Sequence, residues 1–276
     1  VAEITTKIFR FWGVGRNSAA KPFLAARNPV DSFAPLGEKN CVQTLSAAFK
    51  YLTLWHFFAA IPPNSEVIGS AAKYFPLVGL VLGLMLALAN YLLAPHLHSE
   101  ILSLTLIGFL IVLTGGRHLE GLKQTFGAFG TRTPDAEGQA YESLAVAAIV
   151  FVILLKTAAV ESIDEKLTSS LLLAPLLARW SLVTFLYGDH SRFDEIPKLI
   201  AEQVTFSQLL AGTAATLALS VYFLGRQGLW IAFIVSLFAL LTRTLLHRRF
   251  GVLTYASMGA VVELGEALSL ILLATL

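Results

Sequence analysis

Long apolar runs recur along the chain after residue 44, separated by short polar segments. A helix needs about 20 mostly apolar residues to cross about 30 Å of hydrocarbon. Seven segments meet or approach that length: Tyr74–Leu93, Ile101–Thr114, Ser143–Val160, Leu167–Tyr187, Phe206–Leu224, Leu229–Leu246 and Met258–Leu276. Lipid offers the backbone no hydrogen bonds, so each run predicts a helix. The second run is short, and the last carries Glu263 and Glu266. An eighth run, Leu45–Ile61, contains Lys50 and His56 and ends at Pro62-Pro63.

Loop charge decides how the eighth run is read. Lysine and arginine favour the cytoplasmic side of a membrane. If 45–61 does not span and the N-terminus is inside, only Lys166 and Arg226 among the loop cations fall outside. If it does span, the later loops change sides and the bias disappears. The pattern therefore predicts an all-α integral membrane protein. It is a polytopic helical bundle of about seven transmembrane helices plus one re-entrant or interfacial helix at 45–61. The N-terminus and the loops 115–142, 188–205 and 247–257 are expected in the cytoplasm.

Residues 1–44 differ from the rest, being mixed and basic. They read as an interfacial cytoplasmic extension, with residues 45–276 as the transmembrane domain. Phe9-Arg10-Phe11-Trp12 suits a headgroup surface, with aromatics at the interface and cations toward anionic lipid. No short apolar run precedes a small-residue cleavage site, so no signal peptide is expected.

Composition agrees with a lipid solvent. Of 276 residues, 56% are apolar and 14% charged, against roughly half and about a quarter in soluble domains. Disorder is excluded, because it needs low hydrophobicity and high charge. Cys41 is the only cysteine, which excludes a disulfide scaffold within the chain. The formal net charge of +2 gives no reason to expect a nucleic-acid partner. The lipid bilayer is the expected surrounding, with further subunits of a membrane complex as expected partners.

Ionisable residues inside spans are expensive and default to functional candidates. Glu263 and Glu266 are three apart, so they share a helix face. They could hold a divalent cation, or pair with Arg179 or Arg243. Arg179 follows Pro175 in its span, which suggests a polar cavity and a fork able to grip phosphate. Lys156 and Arg243 lie nearer span ends and are expected to snorkel to the interface. The stretch Thr114-Gly115-Gly116-Arg117-His118-Leu119-Glu120-Gly121 opens a cytoplasmic loop. Gly115, Gly116 and Gly121 permit a tight turn or close approach to a ligand. His118 and Glu120 offer a proton acceptor and a metal ligand. No phosphate loop, His-Glu-x-x-His or Cys-x-x-Cys motif is present.

That stretch resembles the cobalamin synthase family, also called adenosylcobinamide-GDP ribazoletransferase. Tyr74-Phe75-Pro76-Leu77-Val78-Gly79, Leu54-Trp55-His56 through Pro62, and Gly259-Ala260-Val261-Val262-Glu263-Leu264-Gly265-Glu266 are similar to family segments in the same order. The likeness covers roughly residues 48–276. It implies a magnesium-dependent enzyme of a bacterial-type cytoplasmic (inner) membrane that joins adenosylcobinamide-GDP to alpha-ribazole or its phosphate and releases GMP. It also implies aspartates where this chain has Glu120, Gln124 and Gly127, and a glycine-aspartate pair where it has Tyr255 and Ala256. Magnesium wants hard oxygen ligands in octahedral geometry, and most of that charge is missing here. The favoured expectation is therefore a noncatalytic structural or accessory subunit, or a ligand carrier. The alternative is an active transferase. Glu120, Glu263 and Glu266 would then hold Mg2+, His118 and Glu120 would act in catalysis, and Gly115, Gly116, Gly121 and Arg179 would bind substrate. Asp135, Glu137 and Glu142 are further carboxylates that could assist. A transporter finds little support without repeated halves.

Overall fold

The computed structural model describes residues 41–54, 69–129, 142–188 and 190–276. The extension up to residue 40, most of the 54–62 match, and Asp135 and Glu137 lie outside the described residues. The described helices are α1 (Cys41–Leu52), α2 (Phe75–Leu93), α3 (Ser99–Thr114), α4 (Arg117–Phe129) and α5 (Glu142–Glu161). They continue as α6 (Leu167–Leu186), α7 (Glu195–Ala201), α8 (Phe206–Leu224), α9 (Arg226–Phe250) and α10 (Tyr255–Thr275). Among the described residues, six helices are long and apolar enough to cross a membrane, with a short turn extending α2 to Ala72–Leu93. The pair α3 and α4, bent by 91°, makes a seventh span if taken as one. The chain is thus an all-α, multi-pass membrane protein.

The outward faces of the bundle are apolar. Leu88, Phe151, Trp230, Phe233 and Leu245 are exposed, as expected where lipid replaces water. The centre is α6, buried over 89% of its span against 17% for α8. It packs against α2, α8, α9 and α10. The α2–α6 contact is close because α2 offers glycines. A Cβ added to Gly83 would sit 2.7 Å from Leu172 Cα, and one on Gly79 would strike the Pro175 carbonyl. Small residues of this kind let backbones approach in lipid, where packing drives association. Trp180 Nε1 donates to Thr213 Oγ1 at 2.9 Å, joining α6 to α8.

The largest departure from the sequence expectation is α4. Residues 115–142 read as a loop, yet 117–129 form a helix. Leu119, Leu122 and Phe126 recur at helical spacing, and Leu122 is fully buried. The amphipathic period was present, but no long apolar run announced it. The bend itself comes from two glycines. Gly115 and Gly116 both have φ of 65°, a region costly for other residues. Gly116 N–H donates to Ile111 O and Gly115 N–H to Val112 O, both at 3.1 Å, closing α3 as a Schellman motif.

Of the helix expected over 45–61, the described residues show Cys41–Leu52 as α-helix, and 55–61 lie outside the described residues. Arg117 Nη1 donates to the carbonyls of Lys50 at 3.0 Å and Tyr51 at 3.3 Å, capping the end of α1. Leu54 N–H donates to Leu113 O, so α1 is held beside the α3–α4 bend. The expected loop 188–205 contains α7, and α9 extends to Phe250. The loop between α6 and α7 meets the loop after α9 through a parallel bridge between Phe193 and Leu253.

Candidate functional site

Two carboxylates on one face of α10 organise the bundle interior. Glu263 and Glu266 are one turn apart, so both point between α5 and α6. Lys156 on α5 donates to Glu263 Oε1, and to Glu266 Oε2 at 2.7 Å. Arg179 on α6 donates through Nη1 to Glu266 Oε1. Relative exposures are 2% for Lys156, 0% for Arg179, 5% for Glu263 and 2% for Glu266. Two cations thus face two carboxylates, and the cluster is neutral. Neutrality matters because an unpaired ion in this interior is costly, whereas paired and hydrogen-bonded ions are tolerated.

The network corrects two sequence expectations. Lys156 does not snorkel to an interface. It reaches inward and bonds both glutamates. Arg243 is also buried, and it does not pair with either glutamate. Its Nη1 donates to the Tyr187 carbonyl, and its guanidinium lies 5.4 Å from the centre of the Phe193 ring. A cation against an aromatic face gains electrostatically. Arg179, expected to pair or to line a cavity, pairs. Its Nε and Nη2 have no hydrogen-bond partner among the described residues.

Lys156 is the member that sequence reasoning missed. Charge balance narrows the choice without making it. Two glutamates in one span need two buried cations; Arg179 supplies one, and the sequence leaves Lys156 and Arg243 equally eligible for the other.

The residues after the bend separate onto opposite sides of α4. His118 and Glu120 are two apart, which places them on different helix faces. His118 is 6% exposed and lines a cavity of about 10 Å³ with Tyr51, Arg117, Leu182, Tyr255, Met258 and Gly259. That is the room one water needs. His118 Nε2 is buried and has no hydrogen-bond partner among the described residues. Tyr51 donates from its hydroxyl to Met258 Sδ at 3.8 Å, so this wall joins α1 to α10. Glu120 instead faces outward, with its side chain 53% exposed. It accepts from Gln124 Nε2 at 3.0 Å, and Lys123 Nζ lies 3.7 Å away.

The three glycines have packing roles in this geometry. Gly115 and Gly116 make the bend. A Cβ on Gly115 would strike the Leu54 side chain. Gly121 lies where α4 crosses α10, and a Cβ there would come 2.8 Å from both Gly259 Cα and Ala256 O. The structure thus brings together Arg179, Glu263 and Glu266, and sets Glu120 apart.

Magnesium fits this arrangement poorly. The glutamates of α10 already bond Lys156 and Arg179, and Glu120 is engaged on the outer face of α4. Among the described residues no group of three or more His, Cys, Asp or Glu is placed to hold a metal ion.

Fold and site together define a multi-pass helical membrane protein with a neutral ion cluster buried at its centre. Residues 50–274 match the cobalamin-5-phosphate synthase family, to which the chain belongs. It is 31% identical over 236 residues to the adenosylcobinamide-GDP ribazoletransferase of Geotalea daltonii, covering 81% of this chain and 96% of that protein. It is 33% identical over 223 residues to the protein so named from Pseudomonas fluorescens, covering 74% and 87%. The Roseiflexus sp. relative of the same name is 27% identical over 256 residues, covering 89% and 91%. No solved structure matches the chain.

Proposed function

We propose that this chain is a noncatalytic member of its family, retained as a structural or accessory subunit or as a ligand carrier in a bacterial-type cytoplasmic membrane. One observation carries the reading. Glu263 and Glu266 are bonded to Lys156 and Arg179, while Glu120 sits on the other side of α4 with Gln124 and Lys123. Phosphoryl-type transfer relies on positioning and on neutralising charge at the phosphates. A cluster that is already neutral leaves no carboxylate over for a metal that would do so. In this reading the N-terminus faces the cytoplasm, and the basic surface there meets anionic lipid and partner subunits.

A second reading rests on the relatives. They carry the name ribazoletransferase, and the first aligns with this chain over 96% of its own length. In that reading the chain turns over, and Asp135 and Glu137 of the segment 130–141 contribute the missing carboxylates.

One experiment separates the two. Purified protein in lipid receives adenosylcobinamide-GDP, alpha-ribazole and Mg2+, and GMP and cobalamin are quantified beside an active relative. No GMP above the protein-free control is the expected result. Mg2+-dependent GMP release that falls on Asp135→Asn or Glu137→Gln would establish the second reading. A protein that purifies stably with this chain would then show which complex it serves.

A further inference from the structure

We propose that Lys156 is a built-in counter-cation. Its ammonium fills the position between Glu263 and Glu266 that a divalent ion would otherwise take, and so keeps free metal out of the bundle. The inference extends the noncatalytic reading to the metal itself. Its test reads metal binding rather than turnover, so either can fail alone.

Glu263 and Glu266 are separated by one helical turn and face the same interior. Without Lys156, Arg179 would neutralise one of them and leave the other alone. An uncompensated carboxylate in a buried interior is strongly unfavourable. It would attract any cation able to enter. Lys156 meets that need from within the chain. Its Nζ bridges Glu263 Oε1 and Glu266 Oε2, the second at 2.7 Å. Both bonds are charge-assisted, which makes them strong.

Competition then follows from charge and geometry. A divalent ion added to the intact cluster would introduce two positive charges with no carboxylate left to balance them. To bind, it would have to displace an ammonium tethered by its own helix. The tether keeps the local concentration of that ammonium high, whereas Mg2+ must also shed part of a tightly held water shell. Lys156 is 2% exposed, so no solvated alternative position is at hand for its head group. A lysine is suited to the task because it is a compact point charge with three rotatable donors.

The test uses Mn2+ as the probe, with free ion read by electron paramagnetic resonance and thermal unfolding followed in parallel, on the full chain in nanodiscs. Wild type is expected to show no Mn2+ binding that depends on Glu263. Lys156→Ala is expected to gain Mn2+ binding and to unfold at a higher temperature when Mn2+ is added. Adding Glu263→Gln to that variant should remove both effects, because Arg179 and Glu266 then balance. If Lys156→Ala alone fails to fold, recovery by Glu263→Gln or by propylammonium supports the proposal, and recovery by neither overturns it. Mn2+ binding by wild type that is lost in Glu263→Gln overturns it too. So does a folded Lys156→Ala protein that binds no more Mn2+ than wild type. GMP release by a wild-type protein whose Mn2+ binding ignores Glu263→Gln would defeat the noncatalytic reading and leave this one standing.

Discussion

Lys156 Nζ on α5 lies 2.7 Å from Glu266 Oε2 on α10. Glu266 also accepts from Arg179 on α6, so one carboxylate joins three helices. Glu263 contacts Lys156 alone within this cluster. The two glutamates are therefore unequal, although their spacing in the sequence makes them look alike.

That inequality gives the first prediction. Glu266→Gln leaves Arg179 buried without its carboxylate and should cost about 3–5 kcal/mol, the scale of a broken buried ion pair. Glu263→Gln leaves Lys156 still held by Glu266 and should cost less, about 1.5–3 kcal/mol, the scale of one charged hydrogen bond. Unfolding in detergent measures both. Equal losses would show that Arg179 does not depend on Glu266.

The second prediction concerns the α2–α6 contact. Gly83→Ala places a methyl group 2.7 Å from Leu172 Cα, a backbone atom that cannot step aside. It should cost about 1–3 kcal/mol, as overpacking does. Gly108→Ala is the control, since nothing lies within 4 Å of its added Cβ. Gly108→Ala should leave the unfolding midpoint unchanged or raise it slightly, because alanine favours helix by about 1 kcal/mol. A tolerated Gly83→Ala would mean the two helices are less closely packed.

A third prediction tests the crossing of α4 and α10. Gly121→Val should push α4 away from Gly259 and Ala256, whose atoms stand 2.8 Å from the added Cβ. The unfolding midpoint should fall, and a cysteine placed at His118 should become reactive to a water-soluble maleimide. His118→Cys in the parent background, buried as His118 is, should react slowly. Equal labelling rates in both backgrounds would refute the close crossing.

The fourth concerns α1. Arg117 holds the carbonyls of Lys50 and Tyr51. Hydrogen bonds to a charged donor contribute about 1.5–3 kcal/mol. Arg117→Gln should therefore speed amide hydrogen exchange across residues 44–52 by about 10-fold or more, while α6 stays protected. Unchanged exchange in α1 would show that its packing, chiefly the Tyr51–Phe75 stack, suffices.

Much of this architecture is written plainly in the chain. Runs of about 20 apolar residues locate helices because hydrocarbon leaves the backbone no other partner. The runs at Tyr74–Leu93 and Phe206–Leu224 agree with α2 and α8 at nearly every residue. Run length says less where a helix is amphipathic and short, and for that reason the sequence shows 117–129 only as part of a polar loop. The glycines at 115 and 116 stood out, but their meaning as a bend needed the positive φ angles.

The candidate site was legible as a set of residue types and illegible as a set of partners. Glu263, Glu266 and Arg179 declare themselves, because charge inside an apolar run is expensive. His118 and Glu120 look like companions in sequence, yet a helix turns them to opposite sides. Which cation meets which carboxylate depends on how α5, α6 and α10 rotate against one another. That rotation is set by close-packed contacts among residues far apart in the chain, such as Gly83 on Leu172. Local patterning accordingly specifies solvent, helix positions and the presence of buried charge. Only the packed bundle decides that Lys156 turns inward rather than toward the interface, and that the charge inside comes out balanced.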